Sequence, residues 1–173
     1  MNATPILDEA HAGLLDWLTR HRVEHELHTH PEAFTARGTA KAEGVDPRTF
    51  AKVVGVATAD GRRALLILDA TDQVDLRKAR RLLNAAEVRL LSEPELAVLA
   101  PGCEAGALPA VGALFGVPMY ADRAIREDPE ISFNAGTHRH AVRVDRAAWE
   151  RASGAVYGDL AVEEATTPAW ARS

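Results

Sequence analysis

Between residues 8 and 21 the apolar positions fall at Leu14, Leu15, Trp17 and Leu18, with Ala10 and His11 one turn earlier. That spacing predicts an amphipathic helix. Residues 23–30 alternate loosely and stop at Pro31, which predicts a strand. Thr35 is placed to cap a short helix over 36–43 that Gly44 ends. Residues 50–58 and 62–69 are apolar and β-branched runs on either side of Asp60-Gly61, the strongest hairpin signal in the chain. Asp75 opens a helix to Leu83, with Leu76, Ala79, Leu82 and Leu83 inside and Arg77, Lys78, Arg80 and Arg81 outside. A strand over 87–91 follows. Ser92-Glu93-Pro94-Glu95 is a capping box with proline in the first turn, starting a short helix to Leu99. Residues 101–116 form a loop rich in Gly, Ala and Pro. Beyond it the pattern predicts a strand over 117–121, a helical turn over 122–127, a strand pair over 130–134 and 140–144, a helix from Asp145 to Ala152, and a last strand within 156–162.

Helices and strands mix without a repeat or a dividing linker, and one hairpin requires antiparallel pairing. The order predicts a single α+β domain over residues 1–163, with a loose tail over 164–173. The chain has 173 residues, 47% apolar and 26% charged, which excludes a disordered or collagen-like chain and suits one domain with its own core. One cysteine makes neither an internal disulfide nor a cysteine-based zinc site. No apolar run reaches the roughly 18 residues of a membrane span, and residues 1–10 lack the pattern of a signal peptide. The expected location is the cytoplasm.

Several residues could carry chemistry. Lys52 interrupts an apolar strand and shares a face with Phe50 and Val54. It either enters a cleft or carries its head out to solvent along its aliphatic stem. In the loop, Gly106 and Gly112 permit close approach of backbone to a ligand, and such a loop either aims N–H groups at an anion or turns a corner. Phe133-Asn134-Ala135-Gly136-Thr137-His138 ends a strand with polar side chains that either meet a ligand or satisfy the local backbone. Of His25, His28 and His30, only the last two share a strand face, and no third metal ligand is apparent. Cys103 has no cationic neighbour in sequence to lower its pKa, so it is expected to be inert.

Five segments occur in order: His30-Pro-Glu-Ala-Phe-Thr35, Phe50-Ala-Lys52-Val-Val-Gly55, Val74-Asp75-Leu76, Gly106-Ala-Leu-Pro-Ala-Val-Gly112 and Phe133-Asn-Ala-Gly-Thr-His138. Together, over about residues 20–150, they resemble the YbaK/EbsC family of aminoacyl-tRNA deacylases, relatives of the editing domain of bacterial prolyl-tRNA synthetase. The resemblance implies a curved, mixed, partly barrel-like sheet flanked by helices. It implies a free-standing trans-editing hydrolase that cleaves the ester of a mischarged tRNA, with a small amino acid such as Ala, Ser or Cys, and that uses neither metal nor cofactor. Lys52 is expected near the terminal adenosine or its phosphate. The loop Gly106 to Ala110 would hold the scissile carbonyl through backbone N–H groups, with Ala107, Leu108, Pro109, Ala110 and Gly112 contacting substrate. His30, Thr35, Asn134, Gly136 and Thr137 would line the amino-acid pocket, and His138 would act at the ester. The chain departs from the family pattern at Ala110, where proline is usual and here stands at Pro109, and at Val53, where Thr or Asn is common. Those departures keep a non-catalytic module that binds aminoacyl-tRNA or a small ligand as an alternative. A metal-dependent hydrolase built on His28 and His30 is a third.

The net charge of −5 disfavours a protein coated for nucleic acid, but it is unevenly spread. Residues 47–89 carry nine basic and five acidic side chains, while the flanking parts are acidic. Contact of Arg77, Lys78, Arg80 and Arg81 with tRNA is therefore expected to be local, near its 3′ end, unless those residues form only a solvated helix face. An aminoacyl-tRNA synthetase is the other partner the resemblance suggests.

Overall fold

The computed structural model describes residues 9–163. The first helix, α1 (Ala12–Arg20), starts later than the apolar spacing suggests because His11 caps it, its Nδ1 accepting the Leu14 N–H at 3.1 Å. The chain continues through β1 (His25–Thr29), α2 (Ala36–Glu43), a 3₁₀ turn (Pro47–Thr49), β2 (Ala51–Thr58) and β3 (Arg63–Asp69). Then come α3 (Leu76–Leu83), β4 (Val88–Leu90), α4 (Glu93–Leu99) and a second 3₁₀ turn (Gly112–Phe115). The last part is β5 (Met119–Asp122), a third 3₁₀ turn (Arg123–Glu127), β6 (Glu130–Asn134), β7 (His140–Asp145), α5 (Arg146–Ser153) and β8 (Val156–Gly158).

The strands form two sheets rather than one. The smaller is antiparallel in the order β1-β7-β6. The larger is mixed in the order β4-β2-β3-β5-β8, with β5 parallel to both β3 and β8. A single parallel bridge, Phe50 to Ser132, joins them where β2 begins and β6 runs alongside. The sheets do not close, so the curvature expected of a partial barrel is shared between two sheets meeting at that bridge.

The main core lies between the sheets and under α1 and α5, around Leu14, Leu18, Leu65, Ile67, Phe133, Val142 and Trp149. On the other face of the large sheet, Val56, Leu66 and Leu68 pack against Ala79 and Leu83 of α3. Strand β3 is thus buried on both faces, which is why residues 64–68 read as an unbroken apolar run. A third cluster, Ala40, Phe50, Ala70 and Ala141, seats α2 over the junction of the two sheets.

The last strand is shorter than the sequence suggests. Asp122 accepts the N–H groups of Leu160 and Ala161 at 2.9 and 3.1 Å, and the chain turns back to pair with Gln73 and Asp75. Residues 164–173, the expected loose tail that includes Trp170, lie outside the described residues. Among the described residues no helix is long and apolar enough to cross a membrane.

Candidate active site

Three segments meet at one end of the small sheet. In the first, residues 30–35, Thr35 caps α2 by accepting the Gly38 N–H at 2.9 Å. The second is the loop 104–110 and the third the turn 134–138. Main-chain bonds sew them together. His30 N donates to Arg139 O at 2.9 Å and Ala33 N to His138 O at 3.1 Å. Glu104 N donates to Gly136 O at 2.8 Å and Gly136 N to Ala107 O at 3.0 Å. His138 spans all three: its Nδ1 lies 3.1 Å from Ala33 O and its Nε2 2.9 Å from Ala105 O, with the Glu104 carboxylate 3.9 Å from Nε2. Both ring nitrogens face main-chain oxygens, so in this arrangement the imidazole is a strut between loops.

Two glycines make this join possible. Gly136 has φ +97°, and a Cβ there would stand 2.9 Å from His11 Cβ. Gly106 has φ +81° and faces the His138 ring. A side chain in that left-handed region costs about 1–2 kcal/mol.

Most oxygens of the loop around Gly106 are occupied, those of Gly106 and Leu108 being the exceptions among residues 104–110. Glu104 O accepts from Ala107 N, Ala105 O faces His138, Ala107 O accepts from Gly136 N, and Ala110 O accepts from Trp149 Nε1 at 2.7 Å. Among the described residues the N–H groups of Ala105, Gly106, Leu108 and Ala110 have no hydrogen-bond partner. The side chains of Leu108, Ala110 and Val111 sink into the main core, and Gly112, itself buried, starts the second 3₁₀ turn. The loop therefore offers amides to a ligand, not side chains. Such amides are suited to an oxygen that gains negative charge.

Lys52 lies on β2 opposite Leu68, on the face of Phe50 and Val54. The Phe50–Ser132 bridge is parallel and isolated, and it brings the start of β2, two residues before Lys52, alongside β6. Among the described residues its ammonium makes no hydrogen bond or ion pair. Its pKa is lowered by burial, with Arg37 adding to the shift and Asp72 opposing it. Val53 pairs with Ile67 and packs against the main core on the opposite face, so a polar residue there would not stand beside Lys52.

Two polar atoms near this join are buried and unpaired. His30 bonds Pro31 O through Nδ1 at 2.7 Å, which leaves Nε2 without a partner, and Asn134 Oδ1 has none. Each residue is 6% exposed. Thr137 differs. Its hydroxyl meets His140 Nδ1 at 2.6 Å and accepts from Arg139 N, so it serves the turn itself.

The basic helix lies elsewhere. Arg77 and Arg80 are exposed and line a groove of about 910 Å³ with Arg63 and Arg89. Arg81 is also exposed. Lys78 is not part of that surface. Its side chain is 13% exposed, and Nζ bonds Asp159 Oδ1 at 3.0 Å and Ala161 O at 2.7 Å. His28 sits between Glu26 and Glu43, and among the described residues no three His, Cys, Asp or Glu side chains are grouped as a metal site. Burial pushes the Cys103 thiol up to about 12, which removes it as a nucleophile near neutral pH. Sequence reasoning passed over Glu104, Arg37 and Phe34. Glu104 and Arg37 act through contacts made far along the chain. Phe34 carried a signal, an aromatic residue in a polar capping segment.

The fold is shared with solved structures. A candidate trans-editing enzyme for prolyl-tRNA synthetase matches with a TM-score of 0.77 at 23% identity, over 94% of this chain and 100% of that one. A protein of hypothetical function matches with a TM-score of 0.79 at 18% identity, over 87% and 99%. A scaffold used for computational epitope grafting matches with a TM-score of 0.75 at 25% identity, over 88% and 96%. No curated protein matches the sequence. The family model of the aminoacyl-tRNA editing domain matches residues 30–152, the stretch that contains the three sewn segments, Lys52 and the loop of free amides. The chain belongs to the aminoacyl-tRNA editing domain family.

Proposed function

We propose that this protein is a free-standing trans-editing hydrolase that cleaves the ester between a small amino acid, such as Ala, Ser or Cys, and the 3′ adenosine of a mischarged tRNA. The observation that carries this is the loop 104–110, sewn to the turn 134–138, in which the N–H groups of Ala105, Gly106, Leu108 and Ala110 make no hydrogen bond and Gly106 is exposed. Water adds to the ester carbonyl, and the carbonyl oxygen becomes an oxyanion that unbonded N–H groups of the loop stabilise, the exposed Gly106 N–H first among them. The C–O bond to the ribose then breaks, the ribose oxygen takes a proton, and free amino acid leaves. Fixed amides of this kind favour the transition state over the planar ester. The ester is already activated, so holding it in register beside water and the substrate's own 2′-hydroxyl suffices without a nucleophilic triad.

Lys52 supplies positive charge for the terminal adenosine phosphate, which its partial burial and lack of an ion pair favour. His138 fixes the two loops against each other, and His30 and Asn134 present unpaired acceptors toward the bound aminoacyl adenosine. A pocket walled by packed loops rejects larger amino acids by clash, as a second sieve does. The departures at Ala110 and Val53 fall on a buried position and on the far face of β2, so neither removes a group from the proposed site. Arg77, Arg80 and Arg81 hold the acceptor stem. Lys78 is left out because its charge is already engaged. The work would be done in the cytoplasm, alongside a synthetase that misacylates, and without metal.

A panel of tRNAs mischarged with amino acids of rising size tests this, run with and without chelator. Many turnovers on small amino acids, undiminished by chelator, are expected. Binding without release of amino acid would instead identify a non-catalytic module, and loss of activity with chelator would identify a metal enzyme.

A further inference from the structure

Phe34 is 69% exposed, and it is the only aromatic among the large apolar side chains that the described residues expose. Scattered aliphatic side chains on a surface need no explanation, but this ring is held in place. On one side of it, Ala33 is bonded to His138 through both its N–H and its oxygen; on the other, Thr35 caps α2. The ring leans on the His138 imidazole, with centroids 5.0 Å apart and planes at 53°. Arg37 is three residues on and acts electrostatically on Lys52, and Arg139 is anchored to Glu32 at 2.9 Å. The acids close by are Glu32, which is paired with Arg139, and Glu104, which faces His138.

A fixed apolar ring open to solvent, with arginines three residues on and next to its partner His138 in sequence, fits a flat π-face attached to phosphates. Building on the function proposed above, we propose that Phe34 is the platform on which a base of the single-stranded tRNA 3′ end stacks, which sets where the ester falls relative to the loop amides. Stacking of a base on an aromatic side chain is tolerant of sequence and serves single strands generally. This residue positions substrate and takes no part in bond making.

The Phe34→Trp protein supplies a reporter at the proposed contact, with wild type as the blank for the buried Trp17 and Trp149. Titration with the trinucleotide CCA is expected to quench its fluorescence to saturation, and an otherwise identical oligonucleotide with an abasic 3′ residue is expected to bind roughly tenfold more weakly. In steady-state deacylation, Phe34→Ala is expected to raise KM roughly tenfold with little change in kcat, and Phe34→Tyr to restore it. Equal quenching by the abasic probe, or an unchanged KM in Phe34→Ala, overturns the platform while leaving the hydrolase standing. Failure of the wild-type protein to deacylate any mischarged tRNA overturns the hydrolase, and the CCA titration then decides Phe34 by itself.

Discussion

Lys52 and Lys78 both belong to the positive stretch of the chain, and the fold treats them in opposite ways. Lys78 projects from a helix of otherwise exposed arginines, yet it is the more fully engaged of the two. Asp159, Ala161 O and Glu163 surround its ammonium, and the Asp159 hydrogen bond leads the factors that raise its pKa. Lys52 comes from an apolar strand, where a cation is expensive to keep, yet it has no ion pair, and burial lowers its pKa. The lysine that looked like a ligand contact holds the returning chain to α3. The lysine that looked out of place is the one available to a substrate. A charge left unpaired in a half-buried position is a stronger sign of a site than a charge in a basic run.

The contrast can be broken by substitution. Lys52→Ala is expected to lower kcat/KM for deacylation about a hundredfold or more, the scale of removing one preorganised electrostatic interaction, with Tm unchanged. Lys78→Met is expected to lower Tm, because it strands Asp159 and Ala161 O, while kcat per folded molecule holds; the opposite pairing of effects would reverse the assignment. Charge reversal at Arg77, Arg80 and Arg81 is expected to weaken tRNA binding roughly tenfold and to flatten the salt dependence by about 0.9 in log–log slope for each phosphate no longer neutralised. An unchanged slope would remove α3 from the interface.

The smallest effect concerns a buried carboxyl on β3, opposite Ala51 and so one residue along the sheet from the Lys52 pair. Burial, then the neighbouring charges of Asp128, Asp72, Asp122 and Asp46, push the Asp69 carboxyl from 3.8 up to about 7. Its Oδ1 and the Oδ2 of Asp128 are buried and unpaired. Above about pH 4 the unfolded chain has released that proton while the folded chain still holds it, so this group's contribution to stability declines from about pH 4 to about pH 7 and is level beyond. Asp69→Asn is expected to flatten that decline and to raise Tm at pH 8, with little change near pH 4, as thermal melts across pH would show. A Tm at pH 8 no higher than wild type would contradict the buried carboxyl.

Local rules carried most of the fold. The Asp60-Gly61 turn does join β2 to β3, with Ala57 opposite Arg63. Ser92 and Glu95 form both halves of the capping box, and Asp75 and Asp145 cap the helices they precede. Each of these signals acts over a few residues, so periodicity and side-chain chemistry suffice to see it. The features that escaped depend on partners far along the chain. Lys78 meets Asp159 across 81 residues, and His138 meets Ala33 across 105. The shortening of β8 needs the carboxylate of Asp122. At the candidate site, the sequence offers the loop and the turn, but not which of the loop's main-chain groups other elements engage. That distinction depends on Trp149 and Gly136 arriving from other elements.

The most direct test counts amino acid released per molecule of protein from one mischarged tRNA carrying a small amino acid, with wild type and Lys52→Ala measured side by side and their folding verified by melting. Many equivalents released by wild type, and almost none in the same interval by an equally stable Lys52→Ala protein, are the predicted result. Release by Lys52→Ala at the wild-type rate, or less than one equivalent from wild type on every small amino acid tried, would contradict the assignment of this site to ester hydrolysis.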